Sequence, residues 1–509
     1  MMTPSSAQIL VITFFLLPLL TIIFFFFNHA KGKTPTKESK PLPSPPKLPL
    51  LGNIHQLGSL PHRTLRSFSE QYGPVMLIHF GQKPTIVVSS ADAAEEVMKT
   101  QDINFASRPE SYVAKDLLYN CSDVAFAPYG EYWRQLRRIC VLHLLSIKRV
   151  QSFRRVREEE KAMLIKNISA SASSVNLSDL VTRFTSDVVC RVAFGRRYMD
   201  EEGGAAKIQA TLREFSTLLG TLAFKDFTPW LGWIDRLRGL DRRVRNNSRE
   251  LDEILEKVLE DHQRAKEEGV VRYEDGDFVD ILLAVNEKDE SVGVTLSREN
   301  MKAIVLDMFA GGTHTTSATI EWVMAELLKN PEEMKRVQNE VREIVGLNAK
   351  VEEHLLDEMT YLKAVIKETL RLHPPVPLLV PRETIKDTKL QGYDIPAKTR
   401  VVINAWAIGR DPKSYDRGEE FWPERFVSSI IDFKGQNFQF IPFGAGRRGC
   451  PGVAFGMPVV ELALANLLYH FDWKYPNVMD RELVDMCESS GLAAKLKSDL
   501  VLVPKSFGC

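Results

Sequence analysis

Between Ile441 and Gly456 the chain reads IPFGAGRRGCPGVAFG, and this stretch limits the fold more than any other. Glycine or proline fills six of the eleven positions from Pro442 to Gly452, so the backbone there suits tight, left-handed or close-approach geometry and not a helix or strand interior. Cys450 closes the loop. An apolar run with helical content, Val453 to Phe471, follows Pro451 and Gly452, which sets the sulfur at or just before a helix N-terminus. Amide N–H groups and the positive end of a helix dipole favour a thiolate there. Arg447 and Arg448 add positive charge that can clamp carboxylates. A lone cysteine is more often an inert core residue; this setting points instead to a metal-holding thiolate. Pro458, inside the helix that follows, removes a backbone bond and predicts a kink.

Composition narrows the function classes. Lys plus Arg equals Asp plus Glu, 66 each in 509 residues, so net charge gives no footprint for nucleic acid. The six cysteines are scattered, with no CxxC pair. That is the pattern of a reduced compartment with one functional thiol, not of a disulfide scaffold.

The N-terminal part reads as a tether. Ile9 to Phe27 is an uncharged run of nineteen residues, interrupted only by Thr13, Pro18 and Thr21, enough to cross a bilayer as a helix. Lys31, Lys33, Lys37 and Lys40 follow it and nothing before it is charged, so the positive-inside rule puts the rest of the chain in the cytosol. A cleaved signal peptide fits less well, because the charged n-region is missing. Pro41 to Asn53, PLPSPPKLPLLGN, is stiff and extended and reads as a spacer. The expected division is an anchor over 1–30, a basic and proline-rich hinge over 31–53 and a catalytic domain over 54–509. A hairpin is expected from Val75–Phe80 and Thr85–Ser89 around Gly81–Pro84, then a mostly helical chain, with Asp92 capping a helix that runs to about Thr100.

Four further patterns carry chemistry. Tyr129 to Arg138, YGEYWRQLRR, places Trp133 and Arg137 on one helix face with Arg134 and Arg138 one position round. Ser297 can cap a helix that runs to Lys329, where Asn330-Pro331 stops it; its ~32 residues span roughly 48 Å. Midway stands Ala310-Gly311-Gly312-Thr313-His314-Thr315-Thr316. Two interior glycines cost roughly 1 kcal/mol each relative to alanine, which calls for close approach to the backbone, with neighbouring hydroxyls serving any carbonyls left free. Glu368 and Arg371 share a face of the helix ended by Pro374-Pro375, and FWPERF, with Arg425, follows at 421–426. Phe224 to Trp233, FKDFTPWLGW, suits either a membrane interface or core packing.

Phe443, Gly446, Arg448, Cys450 and Gly452 match the haem-binding signature of the cytochrome P450 superfamily. With the other motifs the chain resembles A-type plant microsomal P450 monooxygenases from end to end. The resemblance implies a mainly α fold with small β-sheets behind an N-terminal transmembrane helix. It implies haem b, with Cys450 as axial thiolate on iron and Trp133, Arg137, Arg382, Phe443 and Arg448 binding the cofactor, the first three and Arg448 through the propionates. It also implies a buried structural triad of Glu368, Arg371 and Arg425. Thr315 matches the family's proton-relaying alcohol. His314 stands where the family has an acid, so altered proton delivery or substrate preference is expected.

The implied reaction is RH + O₂ + NADPH + H⁺ → ROH + H₂O + NADP⁺ on a small apolar specialised metabolite, at the endoplasmic reticulum membrane. The one GxGxxG match, Gly444 to Gly449, is the cysteine loop itself and leaves no separate dinucleotide or flavin motif, so the resemblance implies electrons from a separate NADPH-cytochrome P450 reductase, whose docking surface includes the basic face of Arg134 and Arg138. A second reading keeps the haem and drops external electrons, as in aldoxime dehydration or a rearrangement. A third is a membrane haem carrier or sensor.

Overall fold

The computed structural model describes residues 41–507, apart from 172, 198–203, 270–275, 289–294, 348–349, 477–484 and 490. The expected anchor over 1–30 and the basic part of the hinge lie outside the described residues. Contacts group Leu42–Gln391 with Ile395–Cys509 into one body, separate from Met1–Pro41 and Gly392–Asp394. The body is mainly helical with small sheets, as expected.

Its first sheet begins with the hairpin. Strands β1 (Val75–Phe80) and β2 (Lys83–Val88) pair antiparallel from Val75↔Val88 to Phe80↔Lys83, so the turn is only Gly81-Gln82. Gly81 has φ +57, and a Cβ there would stand 2.7 Å from the Phe227 carbonyl oxygen. A second sheet joins β3 (Val175–Asn176) to two later strands, β6 (Phe471–Lys474) and β7 (Val501–Ser506), in the order β3-β7-β6. Strands β4 (Arg382–Glu383) and β5 (Arg400–Ile403) complete the first sheet as β1-β2-β5-β4, with β5 parallel to β2.

The proline segment lies along the first sheet. From Pro43 onward it docks on the edge of β1. Leu77 N–H donates to Pro43 O at 2.8 Å, and wholly buried Asn53 donates to Pro46 O at 3.0 Å while accepting from His79 N–H at 2.8 Å. Prolines lack N–H groups but keep their carbonyls, which satisfy an edge strand's open donors. The last part of the hinge is therefore fastened to the body by hydrogen bonds.

Six helices frame the centre: α1 (Glu131–Ile139), α2 (Leu177–Phe194), α3 (Arg298–Lys329), α4 (Pro331–Val345), α5 (Thr360–Leu372) and α6 (Val453–His470). The long helix α3 has the expected ends. Ser297 and Asn300 make a reciprocal capping box, and Pro331 takes the first position of α4. It packs against α2 and α6. α6 is apolar and long enough for a membrane span, but 61% of it is buried inside the body, so it is a core helix. It runs through Pro458 as one element. The helix expected after Asp92 starts behind Ser90 instead, and widens to a π-turn over Glu96–Thr100.

The aromatic stretch 224–233 divides into a buried and an exposed part. Phe227 is buried against Phe80, ring centroids 5.3 Å apart, whereas Trp230 and Trp233 are 50% and 59% exposed, next to Leu237 at 76%. An apolar strip of that size on the surface fits a membrane interface. With the full chain in bilayers, lipid-borne quenchers should reduce tryptophan fluorescence, and most of that quenching should vanish in Trp230→Phe/Trp233→Phe. Equal quenching in the double variant would remove this strip from the membrane.

Candidate active site

The cysteine loop takes the geometry its glycines allow. Gly444 and Gly446 both have φ +67, and a Cβ on Gly446 would lie 2.1 Å from the Met98 carbonyl oxygen. Cys450 N–H donates to Phe443 O at 2.9 Å, closing the loop. The Phe443 ring leans on Phe433 at 5.3 Å. Cys450 itself is exposed, yet its sulfur is recessed among protein atoms, and that burial pushes the thiol above its ordinary pKa. Gly452 N–H, 3.4 Å from Sγ, opposes the shift, and so do Arg137 and Val453 N–H. In this chain alone the sulfur is a thiol; a bond to a metal cation deprotonates it.

The cation beside the sulfur is not one that sequence reasoning chose. Arg447 turns to Asp102, whose Oδ2 accepts its backbone N–H at 2.8 Å. Arg448 turns inward and donates to the carbonyls of Ala106, Val124 and Ala127 at 2.7, 3.3 and 2.6 Å. Arg137 is the neighbour of Cys450, and its Nη2 donates to Gly449 O at 2.7 Å. The shared face of α1 is as expected: Trp133 is buried and Arg137 half-buried, while Arg134 and Arg138 are exposed.

Arg382 is buried, donating to Asp102 Oδ1 at 3.1 Å and Ala445 O at 2.8 Å. Trp133 Nε1 donates to Val124 O at 3.0 Å, and the Arg448 guanidinium lies 4.1 Å from its ring centroid. Buried Arg108, unforeseen from the sequence, donates to Ala125 O, Val380 O and Pro381 O at 2.7, 2.6 and 2.8 Å. Arg108, Arg137, Arg382 and Arg448 thus converge, and among the described residues Asp102 and Asp123 are the carboxylates that act on them. Burial, then repulsion from Arg382, pulls Arg448 down to about 9. Cations so crowded and desolvated fit a dianionic ligand.

On α3 the adjacent glycines answer to different needs. A Cβ on Gly312 would press on Val189 Cγ2 at 2.9 Å, so this glycine lets α2 approach; Gly311 has nothing within 4 Å and opens a gap in an otherwise buried helix. Thr315 Oγ1 donates to Gly311 O at 2.6 Å and Thr319 Oγ1 to Thr315 O at 2.8 Å. These are the hydroxyl-to-carbonyl bonds expected where interior glycines loosen a helix. His314 is pushed down to about 4, first by burial and then by Lys495 and Arg213, with Ala310 O opposing. Its imidazole is neutral at physiological pH.

The triad forms with Glu368 and Arg371 wholly enclosed. Arg371 Nη2 and Nε donate to Glu368 Oε1 and Oε2 at 2.7 and 2.8 Å, and Arg425 Nε donates to Oε1 at 3.0 Å. The remaining donors of Arg371 serve the carbonyls of Gly409, Gly418 and Glu420. Helix α5 is thereby tied to the segment preceding the cysteine loop.

The chain is similar to known proteins in sequence and fold. The model of the family "Cytochrome P450" matches residues 42–501. "Cytochrome P450 71A1" of Persea americana is 54% identical over 458 residues, covering 89% of this chain and 91% of that protein. "Phenylacetaldehyde oxime monooxygenase CYP71AN24" of Prunus mume is 48% identical over 504 residues, 97% of this chain and 95% of that protein. A zebra fish cytochrome P450 solved with abiraterone is 26% identical, covers 89% of this chain and 100% of its own, and superposes with a TM-score of 0.74.

Proposed function

The chain belongs to the cytochrome P450 family, and from that premise we propose a haem-thiolate monooxygenase that oxidises a small apolar plant metabolite with O₂ and electrons from NADPH. The observation that carries the reading is the pairing of the Cys450 thiol, held by a glycine-built loop, with a cluster of buried and half-buried arginines short of carboxylates. A porphyrin dianionic through its propionates fits that donor set. Cys450 would hold the iron, Phe443 would pack beside the sulfur, and Arg382, Arg448, Arg137 and Trp133 would face the propionates. When bound, the haem supplies the redox chemistry and O–O cleavage that thiolate ligation favours. The test is expression with a plant reductase and NADPH-dependent metabolite profiling; a broad panel left untouched by a chain with full haem content would favour the carrier or sensor reading.

The residues of this chain orient, exclude and deliver. Gly311 leaves room against the long helix, and Thr315, bonded to Gly311 O, holds a hydroxyl proton at its edge. His314 enters as a neutral imidazole, able to pass a proton between its two nitrogens but not to offer a carboxylate to Arg213 and Lys495. His314→Asp would give those cations a counter-ion and a charged relay group. Positioned acid–base groups are worth roughly 10²–10⁴-fold, so product formed per NADPH should change at least several-fold, with a new pH dependence. Unchanged rate, coupling and product would dismiss a role for His314.

The same neutral imidazole favours, as a second reading, chemistry without external electrons such as aldoxime dehydration or rearrangement. Product formed by microsomes with no NADPH would establish it. The anchor over 1–30, the cytosolic placement of the body at the endoplasmic reticulum membrane and docking of a reductase on the face of Arg134 and Arg138 belong to the same proposal. The run Ile9 to Phe27, the lysines after it and the exposed Trp230 and Trp233 support them.

A further inference from the structure

The five residues Asp123 to Ala127 lie between the long helix and the arginine cluster, and side chains from both sides bond their backbone. On one side, Val124 O accepts from Trp133 Nε1 and Arg448 Nη1, Ala125 O from Arg108 and Ala127 O from Arg448 Nη2. On the other, Val124 N–H and Ala125 N–H donate to Asp307 Oδ2 at 2.6 and 3.2 Å, and Phe126 N–H donates to Asp123 Oδ2 at 2.7 Å. Asp307 belongs to α3, one turn before Gly311. Asp123 is wholly buried, and among the described residues its Oδ1 finds no N–H or O–H donor. The Asp307 carboxyl is within hydrogen-bonding contact of the Asp123 carboxyl. A proton on Asp307 is the donor that Oδ1 lacks.

We propose that Asp123 and Asp307 share one proton, and that this acid pair is a positioning device fastening residues 123–127 to the long helix, so that Arg448 and Trp133 are held ready for the cofactor. Two ionised carboxylates in contact and out of water repel strongly, so one of them stays protonated. The charge belongs on Asp123, which Arg108 faces. The proton belongs on Asp307, whose carboxyl is raised well above the usual range, by burial first and then by Asp123. The other titratable groups around the pair are neutral: burial pushes Cys121, Cys140 and Tyr132 each up to about 12. Arg448 completes the surroundings. The positioning half of this inference rests on the assignment of Arg448 and Trp133 to the cofactor; the shared proton does not.

The experiment uses the full-length haem protein. Infrared difference spectra between H₂O and D₂O at neutral pH should show a protonated carboxyl C=O band that disappears in Asp307→Asn. Haem transfer to excess apomyoglobin should be about ten-fold faster in Asp307→Ala, within the ~10–100-fold that outer-shell partners are worth to a metal site. In Asp307→Asn, where the amide still accepts from the loop and donates to Asp123, it should stay near the wild-type rate. Raising the pH until Asp307 ionises should speed transfer from the wild type and leave Asp307→Asn unaffected. If Asp307→Ala does not fold, that contrast in pH dependence decides the matter. No band lost in Asp307→Asn overturns the shared proton. A band present with wild-type transfer from Asp307→Ala, or wild-type transfer from Arg448→Ala, overturns the positioning role while leaving the acid pair intact.

Discussion

Replacing Cys450 by serine should abolish the ferrous carbonyl spectrum of a thiolate-ligated haem and reduce turnover to that of a chain without cofactor. The loss should exceed the ~10–100-fold that outer-shell changes cost a metal site, because the bond to the metal itself is gone. The fold should survive. In the protein the sulfur accepts from Gly452 N–H at 3.4 Å, a bond that a serine oxygen can also accept, and the loop is closed by backbone groups of Phe443 and Cys450. The far-ultraviolet circular dichroism of Cys450→Ser should therefore match the wild type while the carbonyl spectrum does not. A normal carbonyl spectrum in this variant would remove the thiolate from the site and the proposed reaction with it.

Breaking the buried triad should have the opposite signature: loss of fold first and of cofactor in consequence. Glu368 and Arg371 have no exposed side-chain surface, and Glu368 also accepts from Trp422 N–H at 2.9 Å. Arg371→Ala leaves a buried carboxylate with fewer partners and frees three carbonyls at Gly409, Gly418 and Glu420. Removing one member of such a pair costs about 3–5 kcal/mol, a large part of the ~5–15 kcal/mol by which domains are stable. Glu368→Gln should cost a similar amount, since it leaves two guanidinium groups unneutralised. Arg425→Ala should cost less, because its other two bonds, to Asp416 O and Arg417 O, lie at the surface. Urea midpoints read alongside haem content test the order. A wild-type midpoint in Arg371→Ala would show that the triad is not what secures this region.

The readings that survived unchanged are those in which neighbouring residues decide the outcome. The ends of α3 follow from Ser297, Asn300 and Pro331, and the glycines at 444 and 446 take the left-handed conformations that suit them. The readings that needed correction involve distant partners. Arg447 and Arg448 stand next to Cys450 in sequence but point away from it, and the cation beside the sulfur is Arg137, some 313 positions earlier. The proline segment reads as a stiff, extended spacer, and what the sequence leaves open is its partner: the edge of β1, whose Leu77 N–H donates to Pro43 O.

What the sequence determined by itself was the presence of one thiol on a rigid loop, a long helix weakened at its middle, and a Glu–Arg–Arg set, because each is written in side-chain identity and short-range spacing. Tertiary structure alone decided which charges meet. Desolvation and through-space repulsion lower Arg448 to about 9 and His314 to about 4, and raise Asp307, which the fold sets beside Asp123 across 184 positions of sequence. Those energies depend on burial and distance, and neither quantity exists until the chain has folded.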